Sequence, residues 1–501
     1  MEDWISRAVI YQVNLRAWAF REPRNPVEAA RERPVAPSPL AYLERHLTTI
    51  RRLGATVVYL MPPYPIGLQN RKGIGSPYAI RDFCAVDPEY GTLEELAAVA
   101  RRAHAVGLRL ILDITPNHTS ADHVWTRTYP EYYVRTPDGR LYYDADWSDT
   151  AKLDYRQPAL RRAMVEVFKF WLGFLGSGEG VDGFRLDMAH LINDRGFWND
   201  ALAELRRHCA PRRLLFLAEC YGTANNLDLF ARGIDAAYDD DFYKVCQYLY
   251  AVDETGESAI ALAPEAEGHG DFADKLAAFR AGGIAGAMAQ ALLNYETLPA
   301  GAGGGPWLAR YTDNHDEGRG LYRFGPGAVR AVNRLLFLSG RCLPFLLTGQ
   351  EFGALNRPPI HDRLRPCEKG RRRLTAGGAD FTPGVECEAN VWARGRDARR
   401  AWYAFYRELI ELRRRQRALR EGAFRLLEAG EEAPEAQRTV LAFERRLGAE
   451  TLACAVNLGP QPRRLTRERL FAGQPLYGGL SDGWLDAFGA TVTRNVTHGV
   501  S

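Results

Sequence analysis

The chain has 501 residues, of which 46% are hydrophobic and 25% charged, and its formal net charge is +3. That length suits two to four domains or one large barrel with an appendage, and the composition is that of an ordinary globular protein. So small a charge gives no reason to expect a nucleic acid or an anionic membrane as partner.

Taken in chain order, the start (MEDWISRAVIYQVN) lacks a basic region followed by an apolar core, so no secretory leader is expected. No apolar stretch reads as long enough to span a bilayer. Eight cysteines (Cys84, Cys209, Cys220, Cys246, Cys342, Cys367, Cys387 and Cys454) are scattered without a CxxC pair. Free thiols in a reducing, cytoplasmic compartment are expected, rather than a disulfide framework or a zinc site. Arginine runs occur at 371–373 and 413–415, and the second, in a helical pattern, reads as a solvated face rather than a binding patch.

Strand-like runs recur at 8–14 (AVIYQVN), 56–62 (TVVYLMP), 108–115 (LRLILDIT), 181–188 (VDGFRLDM), 214–219 (LLFLAE), 234–240 (IDAAYDD), 308–314 (LARYTDN) and 344–352 (PFLLTGQEF). Amphipathic helical stretches such as 92–107 and 161–175 lie between them. Strands alternating with helices imply parallel pairing through right-handed crossovers. Eight such units predict a closed (β/α)₈ TIM barrel, with a doubly wound open sheet as the alternative that periodicity leaves open.

One connection, from Asn117 to about Pro158, is long, rich in Tyr, Trp, Asp and Thr, and without helical period. A connection of that length is usually a functional loop or a small subdomain. After about Glu421 the pattern changes to antiparallel alternation (TVLAFERR, TLACAVNL, GATVTRNV). The expected division is a barrel of residues 1–117 and 159–420, a loop subdomain of 118–158 and a C-terminal antiparallel β domain of 421–501.

The segment 182–190, DGFRLDMAH, raises the chemical question. In a strand of period two, Arg185 and Asp187 share a face. The catalytic groups of a barrel of this kind sit at the C-terminal ends of its strands. There the sequence places Asp113 and His118 at the end of the third run, Asp187 near the end of the fourth, Glu219 at the end of the fifth and Asp316 after the seventh. Any one of these carboxylates is explained by capping the next helix. Capping does not call for an arginine two residues before the aspartate, nor for two Asn-His pairs (Asn117-His118 and Asn314-His315) at strand ends. Several carboxylates around an arginine suit retaining glycosidic chemistry. One carboxylate attacks the anomeric carbon and a protonated one, about 5–5.5 Å away, delivers a proton to the leaving oxygen. The arginine is expected to keep the nucleophile ionised, and an apolar strand to raise the acid.

On these residues the chain resembles the α-amylase family, glycoside hydrolase family 13. DITPNH (113–118), GFRLDMAH (183–190), the AEC around Glu219 and TDNHD (312–316) are similar to its four ordered motifs. The resemblance implies that Asp187 is the nucleophile with Arg185 as its partner, Glu219 the acid/base and Asp316 the transition-state stabiliser. It also implies that His118, His315 and Tyr78 hold the sugar at the cleavage point, and that His190 lines the acceptor side. The loop subdomain and the terminal β unit match the family's domains B and C. Three departures stand out. Ala79 replaces an aspartate often found beside Tyr78, and His190-Leu191 replaces a frequent Lys-His. The acidic calcium ligand of domain B has no clear counterpart.

No cofactor is needed for the chemistry. A structural calcium is the one bound group that the resemblance allows, with Asn117 and Asp154 as its candidate ligands. The expected substrate is an α-1,4-linked glucan or maltooligosaccharide cleaved by water. A glucan transferase or sugar isomerase of maltosyltransferase or trehalose synthase type is the alternative, since the same intermediate can be taken by another acceptor. A non-catalytic binding relative is the third reading, disfavoured because all three carboxylates are present. Oligomeric state is left open.

Overall fold

A computed structural model describes residues 3–16, 38–268, 272–296, 305–355 and 396–495, together with 298, 357–358 and 360–361. Cys367, Cys387 and the arginine run at 371–373 lie outside the described residues. Eight short parallel strands close into a barrel: β1 (Ile10–Val13), β2 (Val57–Leu60), β3 (Arg109–Ile114), β4 (Gly183–Leu186), β5 (Leu215–Ala218), β6 (Ala236–Tyr238), β7 (Trp307–Arg310) and β8 (Cys342–Leu347). The ring runs β1-β8-β7-β6-β5-β4-β3-β2, and Ile10 closes it by pairing with both Val57 and Phe345. The expected TIM barrel is therefore present and the open-sheet alternative is excluded.

The strand residues are buried almost without exception. Helices cover the outer face and side chains fill the inner one, so the sequence reads as continuous apolar runs rather than alternation. The covering helices are α1 (Pro39–Leu53), α2 (Leu93–Ala105), α3 (Pro158–Gly173), α4 (Phe197–Cys209), α5 (Thr223–Ala231), α6 (Asp240–Leu249), α7 (Ala273–Glu296), α8 (Gly325–Leu338) and α9 (Arg396–Arg415). Their starts are encoded locally. Ser38 caps α1 ahead of Pro39, and Thr92 with Glu95 forms a reciprocal capping box on α2.

Two strand expectations need correction. The run at 181–188 stops pairing at Leu186, and Met188 turns to φ +44°. The run at 308–314 ends as a strand at Arg310. In both, the chain leaves the sheet before the last polar residues of the run, and so Asp187 and Asp313-Asn314 become loop groups at the barrel mouth.

Helix α7 corrects the expectation that no segment is long and apolar enough to span a bilayer, since by length and composition it qualifies. It is broken at Gly282 and Gly283, the latter at φ +62°. A Cβ on Gly283 would lie 2.4 Å from the carbonyl oxygen of Arg438. Its buried residues include Ile284, Met288, Leu292 and Tyr295. Here it is a core helix bent around the chain that follows the barrel.

Between β3 and α3 the chain makes an excursion in which residues His118–Ser120 pair antiparallel with Thr150–Lys152. Beyond α9 lies a five-stranded antiparallel sheet of β9 (Ala423–Leu427), β10 (Val440–Leu447), β11 (Glu450–Asn457), β12 (Gln474–Gly478) and β13 (Ala490–Asn495), ordered β9-β10-β11-β13-β12. The arginine run at 413–415 is not uniformly solvated. Arg414 and Arg415 pair with Glu411 at the surface. Arg413 is buried and donates to the carbonyls of Phe337, Ser339, Leu419 and Cys342.

Candidate active site

The register of the barrel places the chemistry. Asp113 on β3 lies beside Arg185 on β4, and Leu186 lies beside Ala218 of β5. The next residues, Asp187 and Glu219, therefore emerge side by side. Arg185 is fully buried between them. Its Nη1 donates to Asp113 Oδ1 at 2.8 Å and to Asp187 Oδ1 at 2.9 Å. Its Nη2 lies 2.8 Å from Glu219 Oε2 as an ion pair. The rings of Tyr78 and Tyr238 flank the guanidinium at 5.5 Å each. Beneath, Tyr59, Tyr238, Tyr311 and Phe345 meet edge to face or tilted and form an aromatic floor that excludes water.

One cation thus serves three carboxyl groups in an apolar socket. With all three ionised, the cluster would keep two uncompensated negative charges away from water, which is costly. The carboxyls respond by holding protons. Burial, then the neighbouring Glu219 charge, pushes Asp187 well above the usual carboxylate range, with Arg185 acting against both. Burial also raises Asp113, again opposed by Arg185. The expectation that Arg185 alone keeps Asp187 ionised is therefore incomplete. Asp187 and Glu219 share one guanidinium, so the charge of Glu219 opposes the ionisation of Asp187.

Asp316 is set apart from that pair. Its side chain is 44% exposed at the cleft, and His315 Nε2 lies 2.9 Å from Oδ2. Desolvation would raise it, but His315, with help from Arg185, holds it down at about 2. Gln12 approaches His315 Nδ1 at 2.8 Å, leaving Nε2 to donate toward Asp316. Arg357 donates to the main-chain carbonyl of Asp316.

The remaining predicted residues surround the cluster. Tyr78 donates its hydroxyl to Asp113 Oδ2 at 3.0 Å and stacks on His315 with ring centroids 5.3 Å apart. His118 is buried with Nε2 4.0 Å from Asp187 Oδ2. Burial takes His118 down to about 4, so the ring is neutral at pH 7 and is not an ionic partner. Trp147 of the excursion packs against it, centroids 5.4 Å apart. His190 is buried on the side of Glu219, edge-on to Tyr221 at 6.0 Å. All eight predicted catalytic and sugar-binding positions line one mouth of the barrel.

The calcium expectation does not fit the residues present. Asp154 is occupied elsewhere, by Arg156 Nε at 2.7 Å and Asn193 Nδ2 at 2.8 Å. Asn117 instead donates to Asp144 Oδ2 at 2.8 Å. The Lys152 ammonium lies 2.7 and 2.8 Å from the two oxygens of Asp144. One buried oxygen, Asn117 Oδ1, has no partner. A divalent cation needs six or more oxygens, and the carboxylate it would use already carries a cation. Among the described residues, no group of three or more His, Cys, Asp or Glu could hold a metal ion.

Sequence reasoning missed several contributors. Tyr59 donates to Asp113 Oδ2 at 2.5 Å, and Tyr221 donates to Glu219 Oε1 at 2.8 Å. Tyr221 carried a signal, a phenol two residues beyond the carboxylate. Asp144 carried none, since its role depends on a loop folding back on Asn117.

Comparison with known proteins gives a consistent picture. The family model described as alpha amylase, catalytic domain, matches residues 40–143 and 134–422. A trehalose synthase/amylase of Mycobacterium tuberculosis is 31% identical over 225 residues, covering 38% of this chain and 34% of that protein. An alpha-1,4-glucan:maltose-1-phosphate maltosyltransferase of Chlorobaculum tepidum is 32% identical over 209 residues, 37% of this chain and 30% of that protein. The chain thus spans about a third of the length of these curated relatives. Among solved structures, an alpha-amylase from Lactobacillus plantarum superposes with a TM-score of 0.69 at 23% identity, covering 99% of this chain and 100% of that one. A Nostoc punctiforme debranching enzyme reaches 0.69 at 20% identity, covering 99% of both chains. At such identities these likenesses speak for the fold alone.

Proposed function

The chain belongs to the alpha-amylase family and is an enzyme; from that premise we propose that it acts on α-1,4-linked glucans or maltooligosaccharides with retention, through a glycosyl-aspartate on Asp187. The observation that carries this reading is the single guanidinium of Arg185, which reaches Asp113, Asp187 and Glu219 at 2.8–2.9 Å.

The cycle begins when sugar enters and the pair's proton resides on Glu219. Glu219 gives that proton to the glycosidic oxygen, the bond from that oxygen to the anomeric carbon breaks, and Asp187 Oδ bonds to the carbon. In the second half, Glu219, now a carboxylate, takes a proton from the acceptor hydroxyl, which attacks the same carbon and frees Asp187. Two inversions give retention. Arg185 neutralises Asp187 when the proton has left it. The already ionised Asp316 grips hydroxyls of the distorting ring. His118 and His315 are hydrogen-bond donors to the same sugar, and Tyr78 offers its ring beneath it. His190 and Tyr221 line the path of the acceptor.

The acceptor decides the reaction class. Water gives a hydrolase, the primary reading. The similarity to a trehalose synthase/amylase and a maltosyltransferase over the matched segment favours, as a second reading, a sugar hydroxyl or phosphate as acceptor. In either case the loop bearing His118 is held by the Asp144–Lys152 pair, and calcium is not required. The six described cysteines are unpaired, which suits a cytoplasmic setting.

A product profile tests this. Purified protein is incubated with maltoheptaose, with and without phosphate or glucose, beside Asp187→Asn. Shorter maltooligosaccharides alone, absent with the variant, support the hydrolase. Longer oligomers, trehalose or a sugar phosphate support the transferase or isomerase. Full activity in a folded Asp187→Asn protein would refute the nucleophile.

A further inference from the structure

We propose that Tyr221 is a positioning residue that sets the acid strength of Glu219 and biases which carboxyl of the Asp187–Glu219 pair keeps the proton. The proposal rests on the reading of Glu219 as acid/base.

Tyr221 follows β5 in the turn that leads to α5. Its carbonyl accepts from Asn225 Nδ2 at 2.9 Å, which fixes the backbone at the first turn of that helix. The hydroxyl donates to Glu219 Oε1 at 2.8 Å. The other oxygen, Oε2, faces Met188 N–H at 3.2 Å and Arg185 Nη2 at 2.8 Å. Every one of these groups is a donor, and donors favour the carboxylate over the acid. Of the three, only the Tyr221 hydroxyl touches Oε1, and none of its hydrogen bonds reaches Asp187. It therefore acts on one member of the pair and not on the other.

The chemistry gives that asymmetry a use. When Glu219 surrenders its proton to the leaving oxygen, negative charge grows on the carboxyl. A phenol already aimed at Oε1 stabilises that charge without reorganising, as a fixed donor does at an oxyanion. In the second half the same contact holds the carboxylate ready to accept a proton from the acceptor. Tyr221 itself transfers none. Burial, then the Glu219 charge, keeps its own hydroxyl well above the ordinary phenol range, so it stays a donor throughout. The other ionisable groups around Glu219 are Arg185 and Asp187 from the end of β4, Tyr238 from β6, and Asp316 after β7. Cys220 and His190 are adjacent, with Arg195 behind His190.

The test compares wild type, Tyr221→Phe, and protein carrying 2,3-difluorotyrosine at 221. Each is assayed for kcat/KM against pH on maltoheptaose and on a 4-nitrophenyl α-maltooligoside. The phenylalanine keeps the ring against His190, and circular dichroism checks the fold. The fluorinated side chain keeps both ring and hydroxyl. Losing a hydrogen bond to a charged group should move the alkaline limb up by about one pH unit, while the more acidic fluorophenol moves it down. Tyr221→Phe should slow maltoheptaose about tenfold and the nitrophenyl substrate much less, because nitrophenolate departs without a proton. Coincident limbs in all three proteins, or equal losses on both substrates, would overturn the proposal. Glu219→Gln separates the two failures. If it spares the nitrophenyl substrate while Tyr221→Phe shifts nothing, only Tyr221 is misassigned. If it loses both substrates equally, the acid/base reading of Glu219 falls too.

Discussion

Replacing Lys152 with methionine keeps the length of the side chain and removes its charge. Asp144 then loses both ammonium contacts, at 2.7 and 2.8 Å, and keeps only the amide of Asn117. The side chains are 12% and 16% exposed. Breaking a fully buried pair costs about 3–5 kcal/mol, whereas an exposed pair is worth about 0–1 kcal/mol. A pair buried to this degree falls between them, at about 2–3 kcal/mol. The cost is local, because His118 and Lys152 are directly opposed on the two short strands of the excursion. Openings of that strand pair should become about 30- to 150-fold more frequent. Amide hydrogen exchange at residues 118–120 and 150–152 reads this directly. The wild type should exchange there at the same rate in chelator and in millimolar calcium. Exchange unchanged in Lys152→Met, or wild-type protection that collapses in chelator and returns with calcium, would refute the assignment of Lys152 as the internal cation.

Four other outcomes follow from the geometry. The acid limb of kcat/KM should lie above the ordinary carboxylate range, because Asp187 must shed a proton that burial and Glu219 help it keep; activity then falls as pH drops through that raised value. Asp316, held at about 2, should not set this limb, so a pH profile of Asp316→Asn should show a lower rate with the limb in place. Gly183→Ala should fold poorly, since its Cβ would lie 1.9 Å from the Leu215 carbonyl oxygen and force β4 from β5; a loss of about 3 kcal/mol is expected from a urea midpoint. Arg310→Met should cost about 3–5 kcal/mol by the same measurement, because Arg310 Nε meets Asp239 Oδ2 at 2.6 Å with neither side chain exposed, and the carboxylate would be stranded.

The barrel was legible because each strand is an apolar run between turn signals, and burial on both faces demands that pattern. The positions of the three carboxylates were legible for the same reason, since each stands at or just past the end of such a run. What failed depended on partners outside the motifs, most of them distant in sequence. Asp154 looked like a metal ligand from its place in AKLD, but Arg156 and Asn193 satisfy it. Asp144, in the middle of a loop with no period, reaches Asn117 from 27 residues away. The protonation of Asp187 could not be read from its neighbour Arg185, because the opposing Glu219 comes from another strand and the desolvation from an aromatic floor assembled from four. Helix α7 has the composition of a membrane span. Only the approach of the Arg438 carbonyl shows why Gly283 is needed in it.

Arg413 carries a lesson for anyone wishing to shorten the molecule. Its guanidinium gathers the carbonyls of Phe337 and Ser339 at the end of α8, of Cys342 at the start of β8, and of Leu419 in the segment leading into the terminal sheet. Cutting the chain after α9 would remove Leu419 from that grasp. It would also remove Arg445, which reaches back to Glu296 at the end of α7. The last sheet is thus less an accessory than the closing clasp of the barrel. A truncated catalytic core should melt as a loosened ring rather than survive as a smaller enzyme.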